Sequence, residues 1–305
     1  MRFALEALFA EVPAEQVAEA RAFYRTRPAG RGPASWEELR EVRAKRPAPR
    51  AAQPPAVEET AEAAGVRVPV RILMPSGGPP RGVYLDIHGG GFYLDSAAHG
   101  DVRNRELADA LGVAVVSVDY RLAPEHPWPA APDDCEAAAL WLLGEAGARF
   151  GTSRPAIGGT SAGATLALTT LLRLRDRGAA DRFTGAALRF GTYDLSARTP
   201  AGRRIADEYF LRAYAGHVAD RTVPDLSPLY GDLGGLPPTL LVVGAEDVLL
   251  EDNLALAARL SAAGNDVDLR VYPEAPHGFT AHPTALAATA LDDIASWLRD
   301  RITGP

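Results

Sequence analysis

Residues 155–178, PAIGGTSAGATLALTTLLRLRDRG, pass from a short apolar run into a helical pattern at a single serine. The segment PAIGG is short and apolar enough for a buried strand, and AGATLALTTLLRLRDRG has the pattern of a helix ended by Gly178. Ser161 therefore falls on a strand-to-helix turn between Gly159 and Gly163. Such a turn strains the serine backbone and pushes its hydroxyl outward. The two glycines lack the Cβ atoms that would collide where strand and helix approach each other. The helix start supplies the Ala162 N–H and a dipole that favours a developing oxyanion. A small residue in a glycine-rich loop would read the same way in isolation, so the surrounding sequence must decide.

Outward from this turn the chain alternates strands and helices. VRVPVRILMP alternates at Val66, Val68, Val70 and Ile72, and RGVYLDIHGGG at Val83, Leu85 and Ile87. GVAVVSVDY and TLLVVGAED are near-continuous apolar runs, as expected of strands covered on both faces of a parallel sheet. Helical patterns fall between them at about 100–111, 132–143, 161–177, 252–263 and 284–302. The order predicts an α/β fold with a mostly parallel, doubly wound central sheet and helices on both faces. Residues 1–55 read as helical patterns followed by a proline-rich linker, KRPAPRAAQPP, and residues 56–305 as the α/β domain. In the first part Ser35 and Glu38 form a capping-box signature ahead of Trp36, Leu39 and Val42. Residues 197–224 interrupt the α/β order with a helical insertion rich in arginine and aromatic residues.

Composition narrows the function. A chain of 305 residues, 47% hydrophobic and 23% charged, has enough apolar sequence for one large core. Its net charge of −7 arises from 32 basic and 39 acidic residues without a long block of one sign, which argues against nucleic acid or an anionic membrane as partner and for a small molecule. MRFALEALFAEV is broken by Glu6 and Glu11, and no run of eighteen apolar residues follows, so a cytoplasmic protein without a membrane span is expected. Cys135 is the only cysteine, which excludes an intrachain disulfide and a cysteine-rich metal site; in DDCEAAALWLL it reads as helix packing. All basic residues but Lys45 are arginine, and Lys45 borders the linker. A Ser-x-x-Lys hydrolase, a phosphate-loop lysine and a pyridoxal Schiff base are thereby disfavoured. No Gly-x-Gly-x-x-Gly occurs, so a dinucleotide enzyme is disfavoured too.

HGGGF, residues 88–92, ends a predicted strand. Consecutive glycines there let backbone N–H groups face a substrate oxygen, and Gly89 and Gly90 become oxyanion-hole candidates beside Ala162; His88 and Gly91 shape the loop. A serine nucleophile also needs a base. His277, in VYPEAPHGF, follows an alternating strand and precedes the last helix, on a loop at the carboxyl edge of the sheet. His126, His99, His217 and His282 lack that placement. The acid that orients the base is expected between Ser161 and His277 in the chain. Asp247 directly follows a buried strand; Glu246, Glu251 and Asp252 are its neighbours and rivals, and Asp194 is a further post-strand candidate. The chain order Ser, Asp, His is one of those in which such triads occur.

With HGGGF, VDYRLAPEHPWPAAPDD, GTSAG, LPPTLLVVGAEDVLLEDN and HGF in this order, residues 80–300 resemble the hormone-sensitive-lipase family of microbial carboxylesterases, in its GTSAG branch, within the α/β-hydrolase fold. The resemblance implies a triad of Ser161, Asp247 and His277 and an oxyanion hole of Gly89, Gly90 and Ala162. It also implies a cap over the pocket built from the N-terminal helices and the 197–224 insertion, short acyl esters as substrates, and no metal or organic cofactor. Two other functions fit the same residues: a deacylase acting on an amide or an acetylated natural product, and a small-molecule receptor that has kept the pocket without the chemistry. Because the base must be neutral to accept a proton, activity is expected to fall on the acid side of neutrality. Oligomeric state stays open, with the last helix or an edge strand as the surface a homodimer would use.

Overall fold

The computed structural model describes residues 4–27, 30–152 and 155–303. The first three residues of the N-terminal helical pattern therefore lie outside the described residues.

Two helices, α1 (Ala14–Arg25) and α2 (Trp36–Lys45), precede the sheet. Its strands are β1 (Val57–Ala63), β2 (Val66–Leu73), β3 (Val83–Ile87), β4 (Ala114–Val118), β5 (Pro155–Thr160), β6 (Ala186–Arg189), β7 (Thr239–Gly244) and β8 (Val267–Tyr272). Between and after them run α3 (Asp101–Leu111), α4 (Ala130–Phe150), α5 (Ala162–Asp176), the short α6 (Pro200–Arg204) and α7 (Tyr209–Ala215), α8 (Leu250–Ala262) and α9 (Ala285–Thr303). The sheet order is β1-β2-β4-β3-β5-β6-β7-β8. β1 and β2 form an antiparallel hairpin and β2 pairs antiparallel with β4; the remaining neighbours are parallel. The sequence reading had no strand at β1.

The alternation of side chains along the strands divides the core into two layers. Val83, Leu85 and Ile87 of β3 pack with leucines of α4, α5 and α8 on one face, whereas Tyr84 packs with α3, α9 and Ala20 of α1 on the other. Strands β4 and β7 are buried along their whole length, as their unbroken apolar runs require. In α5 the leucines at 166, 168, 171, 172 and 174 are all buried, each contributing about 1.5–3 kcal/mol by leaving water. Cys135 is buried in α4 and unbonded, as its helix-packing role predicts.

The residues before the sheet go to two places. Ala10 N–H donates to the Val271 carbonyl at 2.8 Å, α1 lies along α9, where Gln16 meets Thr289 at 2.8 Å, and Arg21 reaches Glu274 in the loop after β8 at 2.8 Å. Helix α2 crosses instead to the loop after β3: Arg43 donates to the Tyr93 and Ala123 carbonyls, each at 2.7 Å, and pairs with Glu125 at 2.6 Å. Ser35 caps α2 by accepting from Glu38 N–H at 3.3 Å. The reciprocal bond of the capping box is made one residue early, from Ala34 N–H to Glu38 at 2.9 Å.

Candidate active site

Ser161 sits between β5 and α5 with φ 55° and ψ −121°, a conformation that non-glycine residues rarely adopt and that costs about 1–3 kcal/mol. The surroundings hold it there. Its N–H donates to the Arg189 carbonyl on β6 at 2.9 Å, and its own carbonyl accepts from Ala164 N–H at 2.9 Å. Close packing explains both flanking glycines: a Cβ on Gly159 would meet the backbone of Gly163, and one on Gly163 would meet the Ile87 carbonyl.

The three residues spread over 116 positions converge on this turn. His277 Nε2 lies 3.0 Å from Ser161 Oγ, and His277 Nδ1 lies 2.9 Å and 3.1 Å from the two carboxylate oxygens of Asp247. The Asp247 side chain is wholly buried, and its Oδ1 also accepts from Leu249 N–H at 2.8 Å, so the buried charge is satisfied. Phe190 meets the His277 ring edge to face at 5.2 Å and limits its rotation. In this arrangement Nδ1–H donates to Asp247 and Nε2 is left as the acceptor for the serine proton.

The rivals are placed elsewhere. Glu246 and Glu251 are exposed. Asp194 accepts from the N–H groups of Ser196, Arg198 and Thr199 and shapes the start of the insertion. Although burial opposes it, the bonds from Ser196 and Thr199 hold its carboxyl below the ordinary aspartate value. Asp252 is buried near Asp194, and burial pushes its carboxyl up to about 6. Of the other histidines, His126 and His217 are exposed, His99 bonds to Ser96, and His282 reaches Tyr24.

The HGGGF loop stands across from the serine. Among the described residues none accepts from the backbone N–H groups of Gly89, Gly90 or Ala162, so all three donors remain available. Gly90 has φ 104° and a Cβ there would meet the Leu94 carbonyl, so only glycine fits. Gly91 continues the turn at φ 59°. His88 is a loop anchor: Nδ1–H donates to the Gly89 carbonyl at 2.8 Å, the ring stacks on Tyr120 at 4.2 Å, and burial lowers its pKa and keeps it neutral. Tyr120 clamps the same loop, its hydroxyl donating to the His88 and Gly89 carbonyls at 3.0 and 3.2 Å. Nothing local in VDYRLAPEHPWP marks Tyr120 for this role; only the fold brings it under the loop.

Ser161, His277 and the glycine loop share one cavity of about 560 Å³. Gly30 and Gly32, ahead of α2, and Ile205, Glu208 and Phe210 of the insertion also line it. Arg212 ties these two segments together by donating to the Ala34 carbonyl at 3.2 Å. Among the described residues no group of three or more His, Cys, Asp or Glu is arranged to hold a metal ion, and no helix is long and apolar enough to cross a membrane.

Residues 84–281 match the family model of the α/β-hydrolase fold. The chain belongs to the α/β-hydrolase family. The carboxylic ester hydrolase LipN of Mycobacterium tuberculosis is 34% identical over 70% of this chain, which spans 61% of LipN's length. An ethyl acetate hydrolase of Pseudomonas putida is 34% identical over 70% of this chain and 72% of its own. A solved esterase of the bacterial hormone-sensitive lipase family superposes with a TM-score of 0.75 at 29% identity, covering 96% of this chain and 100% of that one. Within the α/β hydrolases the chain is thus a member of the hormone-sensitive-lipase branch of carboxylesterases.

Proposed function

We propose that the protein is a serine carboxylesterase acting on short acyl esters, with Ser161 as nucleophile, His277 as general base and acid, Asp247 as the group that orients it, and Gly89, Gly90 and Ala162 as oxyanion donors. The observation that carries this reading is the 3.0 Å approach of His277 Nε2 to Ser161 Oγ on a strained turn, with a buried carboxylate behind the ring.

Ser161 Oγ attacks the ester carbonyl as its proton passes to His277 Nε2. The carbonyl oxygen becomes an oxyanion held by the three backbone donors, each worth about 3–4 kcal/mol when fully aligned. Collapse of the tetrahedral adduct breaks the bond to the alcohol, which leaves with the proton from His277. The acyl group stays on Ser161. Water then gives a proton to His277 as it attacks the acyl carbon, and the second collapse returns the proton to Ser161 and frees the acid. Asp247 keeps Nδ1 protonated throughout and stabilises the transient imidazolium.

The likeness to an ethyl acetate hydrolase supports a short acyl chain. Of the N-terminal cap expected over residues 1–55, only the segment ahead of α2 lines the cavity, through Gly30 and Gly32, while α1 lies against α9; that segment and the 197–224 insertion, joined through Arg212, serve as the cap. Rates on 4-nitrophenyl esters of increasing acyl length, with one anilide alongside, test the reading. It predicts a maximum at short acyl chains and little anilide cleavage; a maximum at twelve carbons or more, or preferred cleavage of the anilide, overturns it.

A further inference from the structure

The cavity has a side that ester hydrolysis does not use. Where α3 meets the sheet, it is lined by Asp86, Arg103, Asn104 and Arg189, on the same face as Tyr84. Arg189 is 7% exposed, one strand away from the nucleophile turn, in register with Thr160. Its guanidinium makes two long contacts, from Nη2 to Asp86 at 3.3 Å and from Nε to the Gly159 carbonyl at 3.4 Å. Arg103, in the first turn of α3, is half-buried and makes no hydrogen bond or ion pair with any described residue.

The nearby carboxylates do not balance these two cations. Asp86 also accepts from Asn104 at 2.9 Å, and Asn104 in turn is tied to Ser117 at 2.7 Å, so Asp86 is fixed on the strand side. Asp95 is engaged by Arg46 at 2.7 Å and His99 at 3.1 Å. Glu106 is exposed. Burial, and then the charge of Arg189, push the Arg103 guanidinium below the ordinary arginine value, against the smaller pull of Asp86, Asp95 and Glu106. A guanidinium held out of bulk water with its N–H donors unused is costly unless an anion meets it, and a carboxylate is the group whose geometry matches it.

We propose that Arg103 and Arg189 form an anion subsite within the Ser161 cavity, and that the esters this protein favours carry a carboxylate. This rests on the esterase reading above. The shared chemistry is the carboxylate, and it can sit on the acid half of the ester, as in a half-ester of a short dicarboxylic acid, or on the alcohol half, as in an acylated hydroxy acid.

Paired substrates separate these sources. Monoethyl glutarate against ethyl butyrate places the charge on the acyl side, and 4-acetoxybenzoate against phenyl acetate places it on the alcohol side. At least one pair is expected to show a tenfold or greater kcat/KM advantage for the anionic ester, carried mainly in KM and reduced by high salt. R103Q is expected to lower that ratio about tenfold or more, and R103K to restore part of it. A readout without turnover is thermal unfolding with glutarate: it should raise the melting temperature of the wild type and not of R103Q. No anionic preference in either pair, or a preference and a glutarate shift that R103Q leaves intact, overturns the subsite. Failure to hydrolyse any of the four esters, anionic or neutral, would instead refute the esterase reading, while the glutarate shift still decides whether the anion site exists.

Discussion

Asp252 offers a test of the electrostatics beneath the insertion. It lies in the first turn of α8, is 1% exposed, and its Oδ2 has no hydrogen-bond partner. Asp194, nearby, takes bonds from the 196–199 backbone and stays ionised. Burial first, with Asp194 adding repulsion, raises the Asp252 carboxyl from 3.8 to about 6 against a smaller opposing bond from Thr199. A carboxyl whose pKa is raised on folding destabilises the native state wherever it is ionised. The penalty is absent below the unfolded pKa, grows as pH rises from about 4, and is complete above about 6. At about 1.4 kcal/mol per tenfold change, that gap corresponds to roughly 2–3 kcal/mol at pH 8, and about half as much at pH 5. Asp252→Asn removes the charge and is expected to raise the melting temperature at pH 8 by about 3–5 °C, by less at pH 5, and hardly at all at pH 4. Differential scanning calorimetry across this range measures the trend. A gain independent of pH, or a loss at pH 8, would refute the reasoning.

Two further outcomes follow from the site. Asp247→Asn keeps the shape but removes the charge that holds His277 Nδ1–H, and kcat on a 4-nitrophenyl ester should fall by about 10³–10⁴ with KM little changed; a fall of less than tenfold would remove Asp247 from its role. Gly90→Ala must place a side chain at φ 104° against the Leu94 carbonyl, so the loop that carries two oxyanion donors should shift and kcat drop by about a hundredfold or more; near-normal turnover by a folded variant would exclude Gly90 from the hole.

What the sequence disclosed follows local chemistry. Ser161, Gly159 and Gly163 were readable because a strained turn permits few residue types, and His277 and Asp247 because each follows a strand at the same sheet edge. β1 escaped notice since VEETAEA has only one fully buried residue, Ala61, and lacks an apolar alternation; the Ala64-Gly65 turn, with φ 51° and 77°, was its better signal. Glu251 and Asp252 suit the opening turn of the following helix better than the loop, and what the sequence leaves unexplained is the contrast between Asp247 and its neighbour Glu246, which comes from burial: Asp247 points under His277 while Glu246 is exposed. Arg103 and Arg189 were invisible for a different reason. Among so many arginines, only the topology that brings the start of α3 and the end of β6 to one cavity distinguishes two that line it.

The most direct measurement is titration with a 4-nitrophenyl phosphonate, following nitrophenol release and mapping the adduct by mass spectrometry. The account predicts one equivalent released per chain, loss of esterase activity in step, and a single adduct on Ser161 that His277→Ala slows severely. Labelling of a different residue, or full esterase turnover after Ser161 is replaced by alanine, would contradict it.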